Sequence, residues 1–225
     1  MIKSLKELFE SKIEQTCCFT GHRSHKLPWG ENKCDSRYLK TKLELKKTII
    51  RAIRRGYTTF VSGMATGADM MCAELALELK HMFPNIKLMC VMPCKNQDKL
   101  WSETQKSRYK SILTLADGVV CLQGRYTKRC MEERNKYMVD NSTLIIAVFD
   151  GTEGGTKNTI EYAKQKGKEI ISIEPVKVDE EYIQSKIEED EIGYIMHNDE
   201  YDDIEDINEV IDKITEDFNK QNLKK

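Results

Sequence analysis

The sequence predicts an α/β fold: a doubly wound, mainly parallel sheet with helices on both faces. Short runs at 16–20, 58–61, 86–92, 119–122, 143–149 and 169–173 are apolar and rich in β-branched or aromatic residues, and they read as strands. Between them, apolar residues recur three and four apart, the spacing of a helix face. No hairpin signal joins one strand to the next. Strands that alternate with helices in this way lie parallel.

Taken in order, Leu5, Leu8, Phe9 and Ile13 mark a short amphipathic helix over 4–14. The first strand follows and ends in Gly21, His22 and Arg23, before the loop SHKLPWGEN. Leu39, Leu43, Ile49, Ile50 and Ile53 predict a helix over 38–55, closed by Gly56 in the manner of a C-cap. The second strand runs into the small-residue loop SGMATG. Met71, Leu75 and Leu79 then predict a helix over 68–79. Pro93 is expected to stop the third strand at 92, and a mostly helical segment follows with Trp101 exposed among charges. The fourth strand leads through a loop with Arg125, Tyr126 and Arg129 to a helix over 131–141. The fifth strand is strongly apolar. After it the loop DGTEGGT opens a helix over 158–167, and the sixth strand closes the series.

Of the 225 residues, 40% are hydrophobic and 32% charged, an ordinary balance for a soluble globular chain. No apolar run is long enough to span a membrane, and the charged N-terminus lacks a signal-peptide core, so a cytoplasmic protein with no membrane partner is expected. The eight cysteines do not form a disulfide framework. Most lie in predicted strands and helices, where a free thiol acts as a small apolar group. Cys90 and Cys94 lack the second pair or histidine that a zinc site needs, so no metal site is expected.

The net charge of −1 divides unevenly. Residues 1–175 carry 30 Lys and Arg against 20 Asp and Glu, or +10, whereas residues 176–225 carry 6 lysines against 17 acids, or −11. Two parts are therefore expected: a sheet domain over 1–175, and an acidic linker with a C-terminal amphipathic helix over 176–225. Ile204, Ile207, Ile211, Ile214 and Phe218 form the narrow stripe of that helix, which suits docking on the body or pairing in a homo-oligomer.

Strand C-terminal ends share one edge of a parallel sheet, and ligands bind in the crevice there. Gly21, His22 and Arg23 follow the first strand; Gly63, Gly67, Ala68 and Asp69 follow the second; Gln97 and Trp101 follow the third; Gly154, Gly155 and Thr156 follow the fifth. Glycine loops that open helices present free N–H groups and a positive helix end, and with nearby arginines they suit a phosphate. Each residue also has a plain structural use: the glycines as turns, Asp69 as a first-turn acid, Trp101 as core cover, Arg134 as a surface ion-pair partner.

Taken together, FTGHR with KLPWG, SGMATGADMMCAELAL, and RNKYMVDNSTLIIAVFDGTEGGTKNTIEYAKQKG resemble the YpsA-like branch of the SLOG superfamily, over about residues 14–174. The superfamily includes DNA-processing protein A and the cytokinin-activating phosphoribohydrolases known as LOG. The resemblance implies a Rossmann-like domain that binds a nucleotide or nucleotide-derived signal. Met131, Glu133, Arg134 and Met138 match the LOG pattern M-x-E-R-x-x-x-M. Gly154, Gly155 and Glu161 match part of P-G-G-x-G-T-x-x-E, where Glu153, Lys157 and Asn158 depart from it. By that resemblance Arg134 and Glu161 would form a catalytic pair.

The expected function is cytosolic binding of a small nucleotide-derived ligand at the C-terminal edge of the sheet, in a sensory or regulatory role. One alternative is phosphoribohydrolase-like cleavage of the N-glycosidic bond of a nucleoside monophosphate. Another is single-stranded nucleic-acid binding, which the basic body favours and the acidic tail opposes.

Overall fold

A computed structural model describes residues 13–176. The helix expected over 4–14, apart from its last two residues, and the acidic extension beyond Val176 lie outside the described residues. No helix among the described residues is long and apolar enough to cross a membrane.

The sheet has six strands: β1 (Thr16–Gly21), β2 (Thr59–Ser62), β3 (Lys87–Cys94), β4 (Gly118–Gln123), β5 (Leu144–Val148) and β6 (Glu169–Ile173). Their order is β4-β3-β2-β1-β5-β6, and every neighbouring pair is parallel. Five helices connect them: α1 (Ser36–Arg54), α2 (Ala68–Leu79), α3 (Glu103–Leu115), α4 (Cys130–Asp140) and α5 (Gly155–Gln165).

Side chains alternate across a strand, so the inner strands feed two cores. Cys17, Phe19, Phe60, Leu88, Leu144 and Ile146 join residues of α1, α2 and α3 on one face. Cys18, Val61, Met89, Val91 and Ile145 join Met138 and Val139 of α4 and Ala163 of α5 on the other. Covered on both sides, β1 is buried from Thr16 to Thr20 and β5 throughout. Each large side chain sealed there contributes about 1.5–3 kcal/mol of transfer free energy.

β3 runs past the expected stop at Pro93 to Cys94. β2 has ended by then, at Ser62 opposite Cys90, so the last residues of β3 pair only with β4. A proline is tolerated where a strand has a single neighbour. Trp101 also departs from its expected exposure. It is half-buried against the core, with its ring edge-on to Tyr109 at 5.3 Å.

The chain steps outward from β1 through β2 and β3 to β4. The crossover through α4 then returns it to the other side of β1. The loops after β1 and β5 therefore diverge at a topological switch point and open a crevice at the strand C-terminal ends.

Candidate functional site

A cleft of about 160 Å³ occupies that crevice. Its wall comes from the end of β1 and the loop after it (Thr20, Gly21, His22, Arg23), from Met131, Arg134 and Asn135 of α4, and from Gly154, Gly155 and Thr156 at the start of α5. Ala65 and Asp69 reach it from the loop and helix after β2, and His25 and Lys26 lie at its rim.

Arg134 is the central cation. It sits one turn from Cys130 and one from Met138 on the inward face of α4, which carries it to 4% exposure. Its only ion pair among the described residues is long, Nη1 to Asp69 Oδ2 at 3.5 Å, and its Nε has no hydrogen-bond partner. A guanidinium has five N–H donors, and leaving them unmet inside a protein is costly. Burial pushes the Arg134 guanidinium down from its ordinary range, opposed by Asp69 and reinforced by Arg23. Burial pushes the Asp69 carboxyl up, against Arg134, the Ala65 N–H that Oδ2 accepts at 3.2 Å, and Arg23.

The helix ends differ in a telling way. α1 and α3 carry side-chain caps: Asp35 accepts from the Arg37 N–H, and Ser102 forms a reciprocal box with Gln105. α5 has Gly154 at its N-cap, at φ 143°, with no side-chain cap. Its first N–H groups have no partner inside the helix, and Gly154, Gly155 and Thr156 line the cleft. Lys26 Nζ holds the approach to this loop by donating to the Glu153 carbonyl at 2.7 Å. Cation side chains and a helix N-terminus thus face a single carboxylate, an arrangement that favours an anion.

Opposite, His22 and Asp150 meet across β1 and β5, with Nε2 to Oδ1 at 2.6 Å. Burial works against the Asp150 carboxylate. The Thr152 hydroxyl and N–H, at 2.7 and 3.1 Å, together with His22, outweigh it and hold the group well below the usual carboxylate range. The His22 backbone is fixed at both ends, its N–H donating to the Val148 carbonyl and its carbonyl accepting from the Ala68 N–H.

The structure brings Gly21, His22, Arg23, Asp69, Arg134, Gly154, Gly155 and Thr156 together. The remaining expected site residues lie elsewhere, for physical reasons. Gly63 sits behind the wall, where it leaves space for Arg134. Gly67, at φ 89°, lets α2 approach the β1 loop: a Cβ there would lie 2.5 Å from the His22 carbonyl oxygen. The Ala68 N–H is already used by that same carbonyl, so the α2 terminus is spent on packing. Gln97 is buried and donates to the Met64 carbonyl, and Trp101 packs on Tyr109. Glu161 is exposed on α5, outside the cleft lining. Asp150, Asn135, Thr20, His25 and Lys26 were not singled out by the sequence, and Met131 entered only through its match to the LOG pattern. For Asp150 the only local signal is an acid directly after a buried strand.

A family model described as YspA SLOG family (YpsA) matches residues 17–180. The chain belongs to this SLOG family. It is similar to the SPbeta prophage-derived protein YoqJ of Bacillus subtilis, 34% identical over 142 residues, covering 56% of this chain and 83% of YoqJ. It is also similar to a UPF0398 protein of Brevibacillus brevis, 29% identical over 168 residues, covering 72% and 82% of the two chains. Among solved structures, DNA processing protein A from Helicobacter pylori, described for its single-stranded DNA binding mode, superposes with a TM-score of 0.53 at 16% identity. That overlap covers 84% of this SLOG chain and 77% of the other, a likeness of fold.

Proposed function

We propose that this SLOG protein binds a phosphate-bearing nucleotide or nucleotide-derived ligand in the cleft at the β1–β5 switch point, in a sensory or regulatory capacity. The observation that carries the reading is Arg134: a buried guanidinium in the cleft lining with a bare Nε and one long ion pair. A ligand phosphate supplies the missing acceptors, and the α5 N-terminus adds N–H donors beside it. The phosphoribohydrolase alternative draws no support from Glu161, which is exposed outside the cleft.

The test is native mass spectrometry of the purified protein, with identification of whatever dissociates, followed by calorimetric titration with nucleoside monophosphates. Arg134→Met is expected to lose at least about tenfold in affinity, the scale of one charge-assisted contact. Equal binding by Arg134→Met and the parent would place the ligand elsewhere.

A second reading has one observation in its favour. The loop between β4 and α4 exposes Arg125, Tyr126, Lys128 and Arg129 at the same sheet edge. Cations interleaved with an aromatic ring suit a single strand, by phosphate contact and base stacking. Fluorescence anisotropy with a labelled oligothymidylate at rising salt tests it. The expected signature is binding that weakens steeply with salt and is lost in Tyr126→Ala; no binding at low salt rejects it.

A further inference from the structure

We infer that the outer edge of β4 is a self-association surface, on which a second copy of this chain pairs its own β4 antiparallel about a two-fold axis and continues the sheet across both copies.

β4 ends the strand order and has β3 on one side only. Its other side presents a row of N–H and C=O groups with no strand partner among the described residues. Such edges are ordinarily protected by charges, prolines or bulges. Gly118–Gln123 reads GVVCLQ, with no charge and no proline. Its register with β3 is constant from Gly118 to Gln123, so no bulge turns it away. Asp117, the acid just before the strand, is held inward by Lys80 Nζ at 2.8 Å and by the Leu88 N–H at 2.8 Å. The opposite edge is the contrast. β6 opens on Glu169, which Arg55 grips with both Nη atoms, and Lys168 and Glu174 bracket it.

Exposed apolar side chains gather at the same edge. Val119 is 40% exposed, and Leu115 and Tyr126, three residues outside the strand at either end, are 63% and 66% exposed. These are three of the five large apolar side chains exposed among the described residues, so the exposure is concentrated here.

Symmetry and charge select the occupant. Two identical strands paired antiparallel are related by a two-fold axis, and the contact is isologous. Pairing centred near Val120 and Cys121 sets the start of each strand beside the end of the other. Leu115 of one copy then lies toward Tyr126 of the second. The same operation brings the loop with Arg125, Lys128 and Arg129, which holds no acid over residues 124–129, to the C-terminal end of α3. That end is the negative pole of its helix, and its last turn holds no basic residue. The edge is thus complementary to itself in apolar surface and in charge. Each β4 edge is used once, so assembly through it closes at two copies.

Sedimentation velocity of the nuclease-treated full chain, over about 1–100 μM, tests the inference. The parent is expected to form a reversible dimer with a Kd in the micromolar range, since a short strand pair and its flanks make a small interface. Val119→Lys should raise that Kd at least about tenfold by placing a charge on the paired edge. Leu115→Lys should do the same, whereas Leu115→Glu should stay within about threefold of the parent. A six-residue strand spans about 20 Å, so the cations that distinguish the two signs at this position belong to the second copy. Leu39→Lys, on α1, should change nothing. If Val119→Lys does not melt cooperatively, the two Leu115 variants carry the comparison. A parent that stays monomeric throughout overturns the inference. So does a dimer that folded Val119→Lys leaves intact, or one on which lysine and glutamate at position 115 act alike.

Discussion

Gly63 and Arg134 compete for one space. A Cβ built on Gly63 would fall inside the Arg134 guanidinium and lie 2.8 Å from Asp69 Oδ2. The small-residue loop after β2 therefore shapes the site indirectly, by making room for a cation delivered from α4. Gly63→Ala should displace the guanidinium, cost about 1–3 kcal/mol through overpacking, and weaken phosphate binding by more than about tenfold. Urea denaturation and calorimetry on the same preparation check both parts.

Asp69 and Glu74 should give opposite pH signatures. Asp69 keeps its proton to higher pH in the folded protein than its ordinary 3.8, so stability falls as pH rises through the window above that value. Asp69→Asn should remove this slope, and its stability relative to the parent should improve with rising pH. Burial also works against the Glu74 carboxylate. The bidentate Arg108 bonds, at 2.6 Å each, and Lys33 at 3.0 Å outweigh it and hold the group below 4.5. Its contribution is present above 4.5 and lost as pH falls through the folded value. Glu74→Gln should cost about 1 kcal/mol near neutrality, with the deficit shrinking in acid. Denaturation curves across a pH series measure both.

Gly155→Pro separates anion binding from folding. Proline is well tolerated at the first position of a helix, where its missing N–H has no helical partner. A Cβ at Gly155 meets no atom within 4 Å. The melting temperature should stay near the parental value while phosphate affinity falls several-fold, because one donor facing the cleft is removed.

Gly67→Ala should act on the fold. Its φ of 89° and the closeness of the His22 carbonyl and the Ser24 N–H leave no place for a methyl group. A loss of about 1–3 kcal/mol in urea denaturation is expected. A variant as stable as the parent would mean that the β1 loop yields easily.

The strands and helices were legible because their periods are local. β6 matches its expected span, and α2 begins and ends where Met71, Leu75 and Leu79 implied. The run-on of β3 through Pro93 was not, since it depends on β2 ending early. Arg134 carried a readable clue: Cys130, Arg134 and Met138 stand four apart, so the arginine belongs to the buried stripe of its helix. The charges around it, Glu132, Glu133 and Lys136, disguise that stripe. The His22–Asp150 contact left no local trace. It exists because β1 and β5 are neighbours, and strand order is a property of the whole sheet.

That neighbour relation also sets a timetable for synthesis. β1 emerges first but waits for β5, since Cys18 aligns with Ile145, more than a hundred residues later. At roughly 5–20 residues per second, the ribosome leaves the β5-facing edge of a central strand that is buried in the finished fold bare for on the order of ten seconds. A bare strand edge pairs readily with other chains. Nascent or truncated chains that stop before Leu144 should therefore be the aggregating species, and the first clients of a chaperone, while a chain released beyond Thr156 carries every wall of the cleft.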